Sequence, residues 1–529
     1  MKSVMQHSFS QVPKAEIQRS SFNRSHGYKT TFNAGELIPF YVDEAVPGDT
    51  FNLKMTAFAR LATPLKPIMD NMFLDTFFFS VPYRLVWDNW ERMHGAQDNP
   101  NDTTDYTVPQ IVTPSGAGTS TGSLADYMGV PIGIPNLSIS ALPFRAYKLI
   151  YNTWFRDQNL QDSSAVPKGN GPDVWNDMAT VNRRGKRHDY FTSCLPWSQK
   201  GPSVQLPLGD KARVEGIGQG SPATFGDSNV PVRETNNTTT YLKARNFTTQ
   251  TPSMYVEEDP DNAGYPGIYA NLSEATASDI NQIREAFQLQ RLYERDARSG
   301  SRYCEVIQAH YGVTDPAHAV LQRPQYLGGG STPINFHPIA QTSPTGTYAD
   351  TPQGNLAAFG TVMINGNGFT HSFTEHCIVI GIMSARADLN YQQGLNRMWS
   401  RKTRFDHYYP ALAHLGEQAV LNKEIYAQGT AVDDQAFGYQ ERWAEMRYRP
   451  SQITGKFRSA DPQSLDYWHL AQDFTTLPVL NSSFIVENPP IDRVIAVTDE
   501  PHFLLDSYIN LICARPMPTF GVPGYVDHF

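Results

Sequence analysis

Phe51-Asn52-Leu53-Lys54-Met55-Thr56-Ala57-Phe58-Ala59-Arg60-Leu61 alternates apolar and polar side chains with the period of a half-buried strand. Phe51, Leu53, Met55, Ala57, Ala59 and Leu61 share one face, Asn52, Lys54, Thr56 and Arg60 the other, and only Phe58 breaks the pattern. The run Met72 to Tyr83 is apolar on both faces, with Met72, Leu74 and Phe78 on one and Phe73, Phe77, Phe79 and Val81 on the other. Such a strand needs cover on both sides. Val86, Trp90 and Met93 then fall four and three apart, the spacing of a short helix over 85–93. Residues 51–95 therefore read strand, strand, helix.

The rest of the chain fits an all-β protein. Its 529 residues include 38 Gly, 38 Pro, 28 Phe and 26 Tyr, a composition that suits short strands joined by many turns. No charged or Pro-rich linker separates one patterned region from another, so one elaborated domain over 41–529 is expected. The net charge of −9 excludes a cationic surface that coats nucleic acid over its whole extent. Cys194, Cys304, Cys377 and Cys513 form no CxxC pair and read as buried thiols. No apolar run suggests a membrane span or a signal peptide, so maturation inside a cell without export is expected.

Residues 1–40 read as a basic arm. The first 29 residues carry Lys2, Lys14, Arg19, Arg24 and Lys29 against Glu16 alone, too polar to fold by themselves. A solvated terminus is the plainer reading; the sharper one is an interior arm facing phosphate, with Lys14, Arg19, Arg24 and Lys29 as its cations and Phe9, Phe22 and Tyr28 available to stack on bases. Residues 95–140 read as irregular loop, and Pro143 opens a helix whose Tyr147, Tyr151, Trp154 and Phe155 form an aromatic stripe suited to core or subunit contact. Arg183, Arg184, Lys186 and Arg187 make the densest basic cluster, either a surface turn or a phosphate contact.

From about 203 to 300 the chain reads as an insertion. Residues 205–279 hold ten acidic and five basic side chains, a local net of −5, in a Gly, Thr, Asn and Pro background too long and polar to pack in a compact domain. Its exit, 279–298, is an amphipathic helix with Ile280, Ile283 and Phe287 on its apolar stripe, which would pack either within its own subunit or against symmetry mates at the base of a protrusion. Further on, 368–385 reads as one strand passing from a sheet rim into its covered centre, and 515–529 as an extended tail.

Catalytic signals are missing from the pattern. HExxH, GxSxG and Walker A sequences do not occur, and Gly216-Ile217-Gly218-Gln219-Gly220-Ser221 fails the dinucleotide fingerprint. On a single strand His371 and His376 would point to opposite faces, so no shared metal is expected; neither metal, cofactor nor enzymatic activity is predicted.

Four stretches carry a family resemblance: Leu321-Gln322-Arg323-Pro324-Gln325-Tyr326-Leu327-Gly328-Gly329, Gly416-Glu417-Gln418-Ala419-Val420, Phe437 to Tyr448, and Val522-Pro523-Gly524-Tyr525-Val526-Asp527-His528-Phe529. They resemble the major capsid protein of gokushoviruses, single-stranded DNA bacteriophages of the Microviridae. The resemblance implies an eight-stranded antiparallel jelly roll with long loop and helical insertions, building a T=1 icosahedral shell around a circular single-stranded DNA genome. It implies as partners further copies of the chain, an internal scaffolding protein, a pilot protein, a small basic DNA-packaging protein and a host cell surface receptor met by the 203–300 protrusion at the three-fold axes. Assembly in the bacterial cytoplasm, a place in the virion and no membrane partner follow. The competing expectation is a jelly-roll carbohydrate-binding protein or glycan-processing enzyme, which needs a concave aromatic site with paired carboxylates.

Overall fold

The computed structural model describes residues 17–202, 204, 213–215, 232–233, 240–241, 269–271, 280–300, 302–314, 322–342 and 354–521. Two compact units divide the chain: Gln199–Arg295, and everything before and after it. Most of 203–279, together with Lys14 and residues 522–529, lies outside the described residues.

Ten strands build two antiparallel sheets in the larger unit: β1 Ser20–Asn23, β2 His26–Phe32, β3 Ile38–Ala45, β4 Thr50–Leu61, β5 Met72–Pro82, β6 Gln325–Pro333, β7 Asn335–Ala340, β8 Leu356–Ser372, β9 Cys377–Ala387 and β10 Phe503–Arg515. The six-stranded sheet runs β10-β4-β8-β7, with β1 and β2 both pairing along the free side of β10. The four-stranded sheet runs β6-β5-β9-β3. The protein is thus mostly antiparallel sheet, with short helices in its connections.

The alternation of β4 sets the interior. Phe51, Leu53, Met55, Ala57, Ala59 and Leu61 are all buried, and they share one core with Phe40, Leu74, Phe78, Val379 and Met383 from the opposite sheet. The rings of Phe78 and Phe369 meet across this interior with centroids 5.4 Å apart. Gly381 is required where the layers are tightest, because a Cβ there would stand 2.9 Å from Phe40 Cζ and 3.0 Å from Phe78 Cε1. The second face of β5, with Phe79 and Val81, packs with Ile378, Ile380 and Ile382 of β9 beneath α1, Leu142–Ile150. Cover on both sides is what the doubly apolar run requires.

Several sequence expectations need correction. Residues 20–40 are not an arm: β1, β2 and the first residues of β3 are integral strands, because their backbone groups pair with β10 and β9. The 368–385 segment is two strands in different sheets, turned at Phe373, whose amide donates to Asp49 O and whose carbonyl accepts from Gly48 N, both at 2.8 Å. His371 and His376 therefore do not share a strand, and the face argument for them lapses. The expected 85–93 helix is broken into a 3₁₀ turn, Tyr83–Leu85, and one helical turn, Trp90–Met93; between them Asp88 N bonds to Lys168 O and Trp87 Nε1 to Asn170 Oδ1. Within 95–140, Gln110–Val112 pairs with Ser138–Ser140 and Leu124–Tyr127 is helical. Arg515 is not tail but the last residue of β10, opposite Ser20.

Candidate functional site

Three places answer to the sequence-derived residues: the N-terminal strands, the basic cluster at 183–187 and the insertion helix. On the N-terminal strands the cations are held locally. Arg24 donates two hydrogen bonds to the Asp43 carboxylate, at 2.5 and 2.9 Å, and Arg19 Nη2 donates to Thr50 Oγ1 at 2.7 Å. Lys29 Nζ stands 3.3 Å from Asp506 on the solvent face of the six-stranded sheet.

That solvent face is open. Phe58, the residue that breaks the β4 pattern, is 46% exposed and lies opposite Met363 on β8 and Asp506 on β10. Leu504 pairs with Arg60 and Tyr508 with Thr56, and both Leu504 and Tyr508 are exposed. An apolar patch dotted with Lys and Arg is the kind of surface that meets another macromolecule.

The basic cluster is more buried than a surface turn. Arg183 Nη1 donates to Asn488 Oδ1 at 2.7 Å, and its guanidinium lies 3.6 Å from Glu36. Arg184 and Arg386 both donate to Asp75, at 2.7 and 2.9 Å. Burial opposes ionisation of that carboxyl, but Ser331 and the two guanidinium groups hold it below the usual aspartate range. Lys186 is only 9% exposed and its ammonium lies 4.6 Å from the centroid of Phe484. Burial pulls the Lys186 pKa down, against the pull of Glu487 and Asp189. Only Arg187 of the four is exposed.

Arg184, Lys186 and Arg187, but not Arg183, line a cavity of about 280 Å³ with Trp154, Phe155, Arg156, Asp157 and His188. Sequence reasoning assigned Trp154 to a packing stripe and passed over Arg156. Helix α1 continues through a π turn, Tyr151–Phe155, which brings Trp154 out to 41% exposure; the tandem Trp154-Phe155-Arg156 at a helix end was the available signal. Arg323 lies over the Trp154 ring, 5.0 Å from its centroid.

The insertion helix α2 covers Ile280–Ser299. Ile283 is half-buried and Phe287 is 66% exposed, while the side chain of Ile280 lies outside the described residues. Among the described residues no group of three or more His, Cys, Asp or Glu is placed to hold a metal ion, and no helix is long and apolar enough to cross a membrane. Cys194, Cys377 and Cys513 are buried free thiols, as their isolation in sequence predicts, and Cys304 is half-buried. Burial pushes the Cys377 thiol up to about 12, away from a nucleophile's range.

Comparison with known proteins adds what the geometry alone does not name. Residues 10–525 match the family model described as Capsid protein (F protein). Capsid protein VP1 of Bdellovibrio phage phiMH2K is 49% identical over 99% of this chain and 98% of its own length. Capsid protein VP1 of Chlamydia phage 1 is 44% identical over 99% and 98%, and that of Spiroplasma virus 4 is 37% identical over 98% and 97%. A match over nearly the whole length gives the chain a structural role in the virion rather than an enzymatic one: the chain belongs to the F-protein capsid family, as a major capsid protein of the gokushovirus type of Microviridae.

Proposed function

We propose that this capsid protein closes into a T=1 icosahedral shell around a circular single-stranded DNA genome. The strand order carries the reading: β2-β10-β4-β8 faces β3-β9-β5-β6, and the chain passes between the layers from β2 to β3, β3 to β4, β4 to β5, β6 to β7, β8 to β9 and β9 to β10. That order supports an eight-stranded jelly roll, with β1 and β7 as additions. A closed shell needs different surfaces for different neighbours, and the open six-stranded face and the connections between strands offer them. Assembly in the bacterial cytoplasm with an internal scaffolding protein, a pilot protein and a small DNA-packaging protein belongs to the same reading. So does a 203–300 protrusion that meets a host receptor. Lys14, which lies outside the described residues, Arg19, Arg24, Lys29, Arg183, Arg184, Lys186 and Arg187 are the residues assigned to the genome; of these Arg24, Lys29, Arg183 and Arg184 already have acidic partners and contribute through the field.

Expression of the chain with its scaffolding protein tests the shell. Electron microscopy should show isometric particles of one size, and particles formed in infected cells should protect single-stranded DNA from nuclease. Subunits that stay monomeric under both conditions, or particles without nucleic acid, would overturn it. Shortening Gly216 to Pro252 to a Gly-Ser linker should leave assembly intact and lower adsorption; normal adsorption would remove the host role.

A further inference from the structure

We propose that the cavity between Trp154–Asp157 and Arg184–His188 holds one nucleotide of a single strand through its phosphate. This rests on the reading of the shell as a DNA container and names a place where the strand is held. Arg156, Arg184, Lys186 and Arg187 converge on the space, and His188 adds a further donor. The one carboxylate in the lining, Asp157, is turned to local use: its Oδ1 accepts from the backbone amides of Asn159 and Leu160, at 2.9 and 3.0 Å.

The donors around this space are short of acceptors. Lys186 is nine-tenths buried and lines the cavity; its backbone amide donates to Ile485 O at 2.7 Å, but its ammonium, set against the Phe484 ring, makes no hydrogen bond to a described residue. Arg156 Nε and Arg184 Nε are buried with no acceptor among the described residues. Native proteins rarely leave buried charged donors in this state, because each gives up its hydration without replacement. Glu487 and Asp189 act on Lys186 through space only. A phosphate brings several acceptor oxygens to one point and offers charge-assisted bonds to the Lys186 ammonium and the exposed Arg187 guanidinium, while Arg156 and Arg184, which donate through Nη1 to Gln161 O and Asp75, add positive field.

The aromatic neighbour selects nucleic acid over a plain carboxylate. Trp154 lies at the cavity, 41% exposed, with Arg323 over its ring at 5.0 Å. Unpaired bases stack on aromatic rings and on guanidinium planes alike, so a phosphate in the cavity places its base against this layer. At about 280 Å³ the space is just under the range of drug-sized sites, roughly 300–1,000 Å³. It suits a phosphate with part of its sugar, the base remaining outside.

The test uses the full-length protein and a fluorescent short oligothymidylate, with inorganic phosphate and polyglutamate as competitors. Lys186→Met and Arg187→Gln should each weaken oligonucleotide binding on the order of tenfold, as expected for loss of one charge-assisted bond. Each should lower the salt slope by about 0.7. Trp154→Phe should retain binding and Trp154→Ala should lose it. Phosphate should compete. Unchanged affinity and slope in both cation variants, in protein that still assembles, would overturn the site even if wild-type particles contain DNA. Wild-type particles without DNA would refute the container reading, while oligonucleotide binding would still report on the cavity. Competition by polyglutamate but not by phosphate would reassign the space to an acidic protein segment and overturn the proposal.

Discussion

On the four-stranded sheet the outward residues Phe79, Val81, Ile378, Ile380 and Ile382 are buried beneath α1, whereas on the six-stranded sheet Phe58, Met363, Leu504 and Tyr508 look into solvent. Both sheets line the same interior, so the core does not cause the difference. The cause is the chain between β5 and β6, whose first part folds back over one sheet only. That cover is fastened by buried polar groups. Arg145 donates to both oxygens of Asp173, at 2.6 and 2.7 Å, and to the carbonyls of Val86 and Gly169. Lys148 Nζ donates to Thr180 O and Asn182 Oδ1, and Tyr147 OH to Leu37 O. A sheet covered in this way is finished within one subunit, while an open one awaits a partner.

The largest expected effect breaks the covered side. Arg145→Met removes a guanidinium that is 0% exposed and strands the Asp173 carboxylate, which is 2% exposed. Breaking a buried pair in this way costs about 3–5 kcal/mol. Urea unfolding of unassembled subunits should show that loss; a change below about 1 kcal/mol would mean that α1 is not what secures the cover.

The next contrast lies within one strand. Met55→Ala, on the inner face, should cost about 2–5 kcal/mol. Phe58→Ala, three residues away on the open face, should stay within about 0.5 kcal/mol. If the Phe58 variant is as stable as the parent yet forms fewer particles, the open face is a contact between subunits or with their contents. Equal stability and equal particle yield would leave the patch without a role in assembly.

The same contrast explains what was legible in the sequence. Strands β4 and β5 could be read because each carries its own evidence, one in its alternation and the other in apolar residues on both faces. Strand β10 was equally legible, since Phe503, Leu505, Ile509, Leu511 and Cys513 alternate with outward residues; attention to the prolines after Arg515 hides it. β1 and β2 could not be found locally, because polar Ser20 to Phe32 become strands only by pairing with a segment almost 500 residues later, Ser20 with Arg515. The turn at Phe373 contains neither Gly nor Pro and is set by Gly48 and Asp49. Of the cavity, only its cations were visible. That Trp154 and Arg156 join Arg184 and Lys186 is a property of the folded chain, as is the commitment of Arg24 to Asp43.

The smallest expected effect is a slope with pH, and it sharpens the account of the covered side. Lys148 is 1% exposed, and burial pushes its pKa down to about 8, partly offset by Asp177. Below pH 8 the folded and unfolded chains both hold the proton, so the cost of burying the ammonium is constant. Between about 8 and the ordinary value of 10.5 the unfolded chain holds a proton that the folded chain has released, and stability rises with pH. Lys186 acts in the same sense, since burial lowers its pKa too, so the wild-type slope is a sum. Cys377, pushed up to about 12 by burial, acts in the opposite sense from about pH 9, and Tyr28 and Tyr127, pushed up to about 12, from pH 10; all three contribute equally to wild type and to a Lys148 variant, so the comparison of the two over the window of about 8 to 9.5 isolates the lysine. Over it, urea midpoints of the wild type should rise relative to those of Lys148→Met. Parallel curves would show that the bonds to Thr180 and Asn182 keep the ammonium charged throughout, and that the cover over the four-stranded sheet is held by a permanent cation.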